Sequence, residues 1–278
     1  MAAVNNTWES WTVDDAARRS LRGLATGERL SPMLRRLLMD ALTNEDRSDR
    51  PHDPAALVSS AARAATEWIG TDFRQREKVV RDLLEFSDAL PPQPKAGPSL
   101  PDKISSIHAA LKEVQIAHAF GGALAVGFYG EPRATRDIDL NVFVPSADWS
   151  DLSDLFSSLK IDIEDGEGNS KIDERQLDWG STPVHLFFSS DDLHDEMERK
   201  VRLAPFGGDT IPLVAPEHLM VRKAVLGPPK DWLDIEQILV ATDPLDLREI
   251  EDWLERMVGG DNPRMEKLRE VKAGLSVD

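Results

Sequence analysis

Prolines cluster between residues 91 and 101, where the chain reads Pro-Pro-Gln-Pro-Lys-Ala-Gly-Pro-Ser-Leu-Pro. Proline has no backbone N–H and its ring clashes with the preceding helical turn, so neither a helix nor a central strand continues through such a segment. The segment therefore predicts a linker over residues 91–101, which separates a region spanning residues 1–90 from the rest of the chain.

The region before the linker carries the pattern of helices from Thr12 to about Leu90. Apolar residues recur there at spacings of three and four, and a polar cap followed by proline marks a helix start at positions 31–32 and 53–54. We expect four helices, of which the last contains the apolar residues of positions 79–84.

The region after the linker alternates between helices and strands. Strands are predicted over residues 116–120, 137–144, 171–178, 182–188 and 210–214, and helices over residues 102–114, 123–126, 149–159 and 191–203. Helices alone follow, over residues 216–226, 231–240, 245–258 and after Pro263. The fold class is therefore α+β, with a mixed-sheet core over residues 102–215 and a helical part over residues 216–278 that completes a cleft.

Composition limits the partners of the chain. The 278 residues contain 50 Asp and Glu against 33 Lys and Arg, for a net charge of -17, which works against broad capture of nucleic acid. A polyanionic partner would need a local basic patch. With no cysteine, no leader segment and no long apolar run, we expect a cytoplasmic protein that does not associate with a membrane.

Two carboxylates stand at alternate positions of a predicted strand, Asp137 and Asp139, with Ile138 between them. Alternation turns both acids to one face and Ile138 to the core. Mg²⁺ takes few carboxylates and completes its octahedron with water and phosphate oxygens, so the pair predicts a site for Mg²⁺, or Mn²⁺, together with a nucleoside triphosphate.

A glycine pair precedes this strand, at the junction between a strand and a short apolar helix. Gly121 and Gly122 let the backbone approach a phosphate closely, and the helix start offers amide donors. Arg133 and Arg136 flank the following loop and are candidates for neutralising triphosphate charge. Each feature alone is more typical of an ordinary turn or a solvated face, and their order and spacing make the prediction.

The order Gly-Gly, apolar helix, Arg-x-Thr-x-Asp-x-Asp-Leu and apolar strand resembles the signature of the nucleotidyltransferase superfamily. The downstream segment Ala215–Lys223, followed by residues 230–235, resembles the AbiEii-type toxin nucleotidyltransferases. The resemblance covers Lys103 to about Leu254. It implies a nucleotidyltransferase-like fold in which Lys223 contacts the triphosphate, while Asp234, favoured over Asp231, completes the site or holds Lys223 in place.

The resemblance also implies an activity. A member of this group would transfer a nucleoside monophosphate from a triphosphate to a hydroxyl acceptor, such as the 3′ end of a transfer RNA, whereas other branches of the superfamily modify proteins or small aminoglycoside-like molecules. It would act as the toxin of a toxin–antitoxin system with a cognate antitoxin as partner.

The sequence departs from the superfamily where a third carboxylate is expected on a later strand. His185 stands there, and a neutral imidazole can accept a proton from an attacking hydroxyl, although an isolated histidine is more often structural. Asp178 and Asp173 on the neighbouring strand are the alternatives. Ala123 is a second departure, because many relatives carry a phosphate-binding hydroxyl at that position.

The missing acid keeps a second function open. The chain would then be a catalytically silent nucleotidyltransferase fold that binds a nucleotide or a protein, with the N-terminal helices as the interaction module. A third hypothesis gives those helices a regulatory position over the cleft.

Overall fold

The computed structural model describes residues 35, 39, 72–89, 97–163 and 173–275. The first three helices predicted before Leu90 lie outside these ranges, except for positions 35 and 39, which are helical. The helices of residues 72–275 are α1 (Phe73–Ala89), α2 (Leu100–Glu113), α3 (Gly122–Tyr129), α4 (Trp149–Ser158), α5 (Asp192–Arg199), α6 (Pro216–Leu226), α7 (Pro229–Ala241), α8 (Leu247–Val258) and α9 (Pro263–Leu275).

The strands form one mixed sheet, which confirms the predicted α+β class. They are β1 (His118–Phe120), β2 (Ile138–Val142), β3 (Glu174–Trp179), β4 (Thr182–Phe188), β5 (Arg202–Phe206) and β6 (Asp209–Leu213). Their order is β3-β4-β2-β1-β6-β5. β2 runs parallel to β4 and β1 runs parallel to β6, whereas the other neighbours are antiparallel. The carboxyl end of β1 therefore lies beside the amino ends of β2 and β4.

The core lies between this sheet and the helices. Strand β4 shows the alternation expected of a half-covered sheet, because Val184, Leu186 and Phe188 are fully buried while the residues between them are less covered. Helix α3 is apolar on every side and is almost entirely buried, as a central helix must be.

Helix α1 lies before the proline segment and packs on the core beyond it. A methyl group at Gly127 of α3 would lie 2.8 Å from Val80, so the two helices are in close contact there. Arg76 donates a buried hydrogen bond of 2.6 Å to the carbonyl of Gly130, at the end of α3. Two elements that are distant in sequence are thus held together by both apolar and polar contacts.

The prediction of one helix over residues 191–203 was wrong at its carboxyl end. Helix α5 ends at Arg199, and residues 202–206 form strand β5, which pairs with β6 across a turn at Gly207 and Gly208. Both glycines have positive φ, 61° and 89°, which favours the tight turn of a hairpin. Ala204 and Phe206 of the new strand are buried, so the hairpin adds to the core.

Within the described residues, no helix combines the length and the apolar character needed to cross a membrane.

Candidate active site

A cleft of about 700 Å³ opens where β1 ends and β2 and β4 begin. It is also bordered by the start of α3 and by α6. The residues predicted for a nucleotide site and found along its wall are Gly121, Gly122, Arg133, Arg136, Asp137, Asp139, His185 and Lys223. The structure therefore brings together residues that are more than 100 positions apart in the sequence. Of the predicted site residues, only Asp234 does not line the cleft.

Asp137 and Asp139 lie on either side of Ile138, which is buried with 2% exposure. Both carboxylates line the cleft, as the alternation predicts, although β2 begins only at Ile138. Burial and the neighbouring carboxylate of Asp137 raise the pKa of Asp139 to about 6, against the opposing effect of nearby cations. The two acids thus form a site of concentrated negative charge.

The glycine pair lies directly against this charge. The N–H of Gly121 donates to the carbonyl of Asp139 at 2.9 Å, which ties the start of α3 to β2. Gly122 has a φ of 52°, and a Cβ built on it would lie 1.6 Å from Oδ2 of Asp139. A side chain at position 122 would therefore occupy the place of the Asp139 carboxylate.

A chain of hydrogen bonds positions Asp137 from helix α1. The hydroxyl of Thr135 donates to Oδ1 of Asp137, and the N–H of Thr135 donates to Oγ of Ser87 at 3.1 Å. Ser87 is 1% exposed and donates in turn to the carbonyl of Leu83 at 2.9 Å. The loop that carries Asp137 is therefore supported by a helix on the other side of the proline segment.

His185 is the direct neighbour of Asp139 across the parallel pair β2 and β4. It lines the cleft beside the two acids, whereas neither alternative acid does. Asp178 is exposed and its backbone pairs with Asp162, and Asp173 directly precedes β3. Among the described residues, no group of three or more His, Cys, Asp or Glu side chains is arranged to hold a metal ion. Asp178 and Asp173, the alternatives to His185, thus lie outside the cleft wall, and the acids beside His185 in the cleft are Asp137 and Asp139.

Lys223 forms a buried ionic cluster with the first turns of α7. Its ammonium donates to Asp231 at 2.8 Å and to Asp234 at 2.6 Å, and all three side chains are at most 8% exposed. Asp231 and Asp234 therefore both bind Lys223, whereas the sequence analysis gave this contact to Asp234. The cluster fixes the lysine, as one of the two predicted roles of Asp234 requires.

Arg133 and Arg136 both line the cleft but differ in their surroundings. Arg133 forms an ion pair of 3.4 Å with Asp234, which joins its loop to the Lys223 cluster. Burial of Arg136 lowers its pKa, and the carboxylate of Asp88 on α1 opposes this effect. The loop between α3 and β2 is thus held by charges on two other elements.

Sequence reasoning did not select several polar residues of the cleft wall, among them Arg222, Asn141 and Lys230. Arg222 precedes Lys223 on α6, and its guanidinium carbon lies 5.0 Å from the ring centre of Phe187. Asn141 follows Asp139 by two positions on β2 and is 4% exposed. The alternation that selected Asp137 and Asp139 also points to Asn141, so that residue was accessible to sequence reasoning.

No protein-family model matches the sequence, and no curated protein matches it. Among solved structures, an antigenic nucleotidyltransferase-like protein from Paracoccidioides brasiliensis is similar to it, with 20% identity and a TM-score of 0.38 over 61% of this chain and 92% of that one. The solution structure of the antibiotic-resistance factor ANT(2'')-Ia has 17% identity and a TM-score of 0.38, over 63% of this chain and 95% of its own. The crystal structure of ANT(2'')-Ia with adenylyl-2''-tobramycin has 18% identity and a TM-score of 0.42, over 56% and 95%. The roles of individual residues therefore rest on the geometry of this chain.

Proposed function

We propose that the cleft is the active site of a nucleotidyltransferase, which transfers a nucleoside monophosphate from a triphosphate to an acceptor hydroxyl. One observation carries the proposal. The carboxylate of Asp139 lies against the backbone of Gly122, at the first turn of α3. Ligands for a metal ion and amide donors for a phosphate are thus at one place, as binding of a metal–triphosphate complex requires.

The donor set fits a magnesium or manganese ion. No ion pair joins Asp137 or Asp139 to any cation of the described residues, and burial together with repulsion from Asp137 raises the pKa of Asp139. A divalent ion held by both carboxylates would relieve that repulsion. When bound, such an ion supplies neutralisation of the triphosphate charge.

The other groups would orient the triphosphate. The N–H of Gly122 would donate to phosphate oxygens at the start of α3, and Gly121, whose own N–H is bonded to Asp139, would leave room for them because it has no side chain. Arg133 and Arg136 would bind the remaining oxygens from the facing loop. Lys223 uses two of its three N–H donors on Asp231 and Asp234, which leaves one for the triphosphate.

His185 would act as the general base. The acceptor hydroxyl attacks the α-phosphorus in line, a new P–O bond forms, and the bond to the pyrophosphate leaving group breaks. The imidazole takes the hydroxyl proton, since it lies beside Asp139 on the adjacent strand. Positioning and charge neutralisation account for most of the rate enhancement in such a reaction.

For the acceptor, we propose a transfer RNA 3′ end or a protein, in keeping with the resemblance to AbiEii-type toxins and a cognate antitoxin. The whole chain is acidic, but the cleft is not. Its wall carries five basic residues, Arg133, Arg136, Arg222, Lys223 and Lys230, against three acidic ones, Asp137, Asp139 and Asp231. This local excess is the basic patch that a polyanionic ligand requires.

A catalytically silent nucleotide-binding module is the second candidate. It is favoured because His185 stands where a third carboxylate is expected. In the part of the chain that the structure describes, no group of three or more His, Cys, Asp or Glu side chains is arranged to hold a metal ion. Such a module would bind a metal–triphosphate complex without turnover.

The test is incubation of the protein with Mg²⁺ and each labelled triphosphate, with total transfer RNA and the protein itself as acceptors. Asp137→Ala and Asp139→Ala are the site variants, and Asp178→Ala is the matched control, because Asp178 is an exposed acid outside the cleft. We expect label transfer by the wild type and the control alone. Binding of the triphosphate that survives both site substitutions would refute the metal site, and binding without transfer would select the silent module.

A further inference from the structure

Arg222 is a cleft cation whose charge is not matched by a neighbouring acid. Among the residues that the structure describes, none forms a hydrogen bond or an ion pair with its guanidinium. Three carboxylates, those of Glu174, Asp191 and Asp139, act on it from longer range, and burial lowers its pKa below the usual range. A partly buried guanidinium with five donors and no close acceptor is costly unless a ligand supplies one.

The other cations that sequence reasoning selected differ in this respect. Lys223 is held between the carboxylates of Asp231 and Asp234, and Arg133 forms an ion pair with Asp234 of the same cluster. Lys223 and Arg222 are consecutive on α6, so their side chains leave the helix about 100° apart. The helix thus directs one cation to the α7 cluster and the other to the wall formed by β4.

Asn141 provides a second unmatched group nearby. It is 4% exposed, it lines the cleft, and its Oδ1 has no hydrogen-bond partner among the described residues. In the register of β2 and β4, Asn141 pairs with Phe187, the residue over which Arg222 lies. This row is adjacent to the row of Asp139 and His185, two residues further along both strands.

We propose that Arg222, Asn141 and Phe187 form a phosphate-binding subsite next to the metal-binding row. The guanidinium would bind phosphate oxygens, the side-chain carbonyl of Asn141 would accept from a hydroxyl of the same ligand, and Phe187 would keep the guanidinium in place. The phosphate belongs either to the triphosphate or to the acceptor. The subsite rests on the proposed function only for its substrate, since the anion site itself is defined by the geometry of Arg222.

The first experiment measures binding of inorganic pyrophosphate in metal-free buffer by calorimetry. We expect Arg222→Gln to weaken binding by about tenfold or more, which is the usual effect of losing a charge-assisted hydrogen bond. The pyrophosphate affinity of Arg222→Lys, which keeps the charge, should lie between those of the wild type and Arg222→Gln. The matched control is Arg256→Gln, because Arg256 lies 4.9 Å over the ring of Trp253 in a similar stack outside the cleft.

The outcomes separate this proposal from the proposed function. Asp139→Asn should keep metal-free pyrophosphate binding and lose Mg²⁺-dependent triphosphate binding. If Mg²⁺-dependent binding survives in Asp139→Asn while Arg222→Gln is still weakened, the metal site fails and the phosphate subsite stands. Equal pyrophosphate affinity in wild type and Arg222→Gln, or no binding by the wild type at millimolar concentration, would overturn the subsite.

A second arm identifies the source of the phosphate. The protein is saturated with Mg²⁺ and a non-hydrolysable triphosphate and then titrated with inorganic phosphate. Binding that persists in the wild type and is lost in Arg222→Gln assigns the subsite to the acceptor. Binding that the triphosphate blocks assigns it to the triphosphate, and Arg222→Gln should then weaken triphosphate affinity as well.

Discussion

Substitution of Gly122 by alanine tests the contact on which the site depends. The added Cβ would lie 1.6 Å from Oδ2 and 2.6 Å from Cγ of Asp139, so either that side chain or the first turn of α3 must move. The positive φ of 52° adds a backbone cost of about 1–2 kcal/mol for alanine. Overpacking of this kind costs about 1–3 kcal/mol. We therefore expect Gly122→Ala to lower the free energy of unfolding by about 2–5 kcal/mol.

The matched control is Gly208→Ala. Gly208 also has a positive φ, 89°, but no heavy atom lies within 4 Å of its Cβ position. It should show the backbone cost alone, about 1–2 kcal/mol, and keep the affinity of the wild type for Mg²⁺ and triphosphate. Gly122→Ala should weaken that affinity by about tenfold to a hundredfold, because a shift of about 1 Å in the position of a binding group such as the Asp139 carboxylate can have an effect of this size.

Urea denaturation measures the free energy of unfolding, and calorimetric titration of a triphosphate in the presence of Mg²⁺ measures the affinity. The reasoning is refuted if Gly122→Ala is no less stable than Gly208→Ala and binds Mg²⁺ and triphosphate within twofold of the wild type. The carboxylate of Asp139 would then not be confined by the start of α3.

Three further predictions concern charge and support of the site. The pKa of Asp139 is raised to about 6, so its ionised form destabilises the fold above that pH. Asp139→Asn should therefore be more stable than the wild type at pH 8 in urea titrations without metal. The difference in the free energy of unfolding should vanish towards pH 4. Lys223→Met should cost about 3–5 kcal/mol in the same assay, because it leaves the buried Asp231 without a cation and Asp234 with Arg133 alone. Lys112→Met, from an ion pair with both side chains at least 59% exposed, should have a much smaller effect, and equal losses would contradict a buried cluster. Ser87→Ala should cost about 1–3 kcal/mol of the free energy of unfolding and weaken Mg²⁺-dependent triphosphate binding. Ser158→Ala, at an exposed helix serine with a similar bond to its own helix, should change neither quantity. Unchanged binding in Ser87→Ala would show that α1 does not support the loop.

The part of the site that lies close together in sequence was predictable. Gly121 and Asp139 are separated by one helix and one loop, and strand alternation alone determines which residues near Asp139 face the cleft. The resemblance placed His185 where a third carboxylate is expected, and the structure pairs it with Asp139 across β2 and β4, a register that the sequence analysis did not predict.

The rest depended on how helices are oriented in space. The bond between Lys223 and Asp231 requires a particular angle between α6 and α7, which spacing along the chain does not determine. Arg222 was not selected because its proposed role depends on Phe187, a residue 35 positions earlier on another element. Strand β5 was missed because apolar residues at positions 201 and 203 extended the helical pattern, although the Gly207-Gly208 pair marked a hairpin.

The bond from Thr135 to Ser87 has a consequence for how the protein is divided into fragments. A polypeptide started at residue 97 would contain every cleft residue yet leave the N–H of Thr135 and the carbonyl of Gly130 without their partners on α1. It would also uncover the apolar surface that α1 covers on α3. The shortest fragment suited to crystallisation or ligand screening therefore includes residues 72–89, whereas a protease cut within residues 90–96 would leave both pieces bound to each other by these contacts.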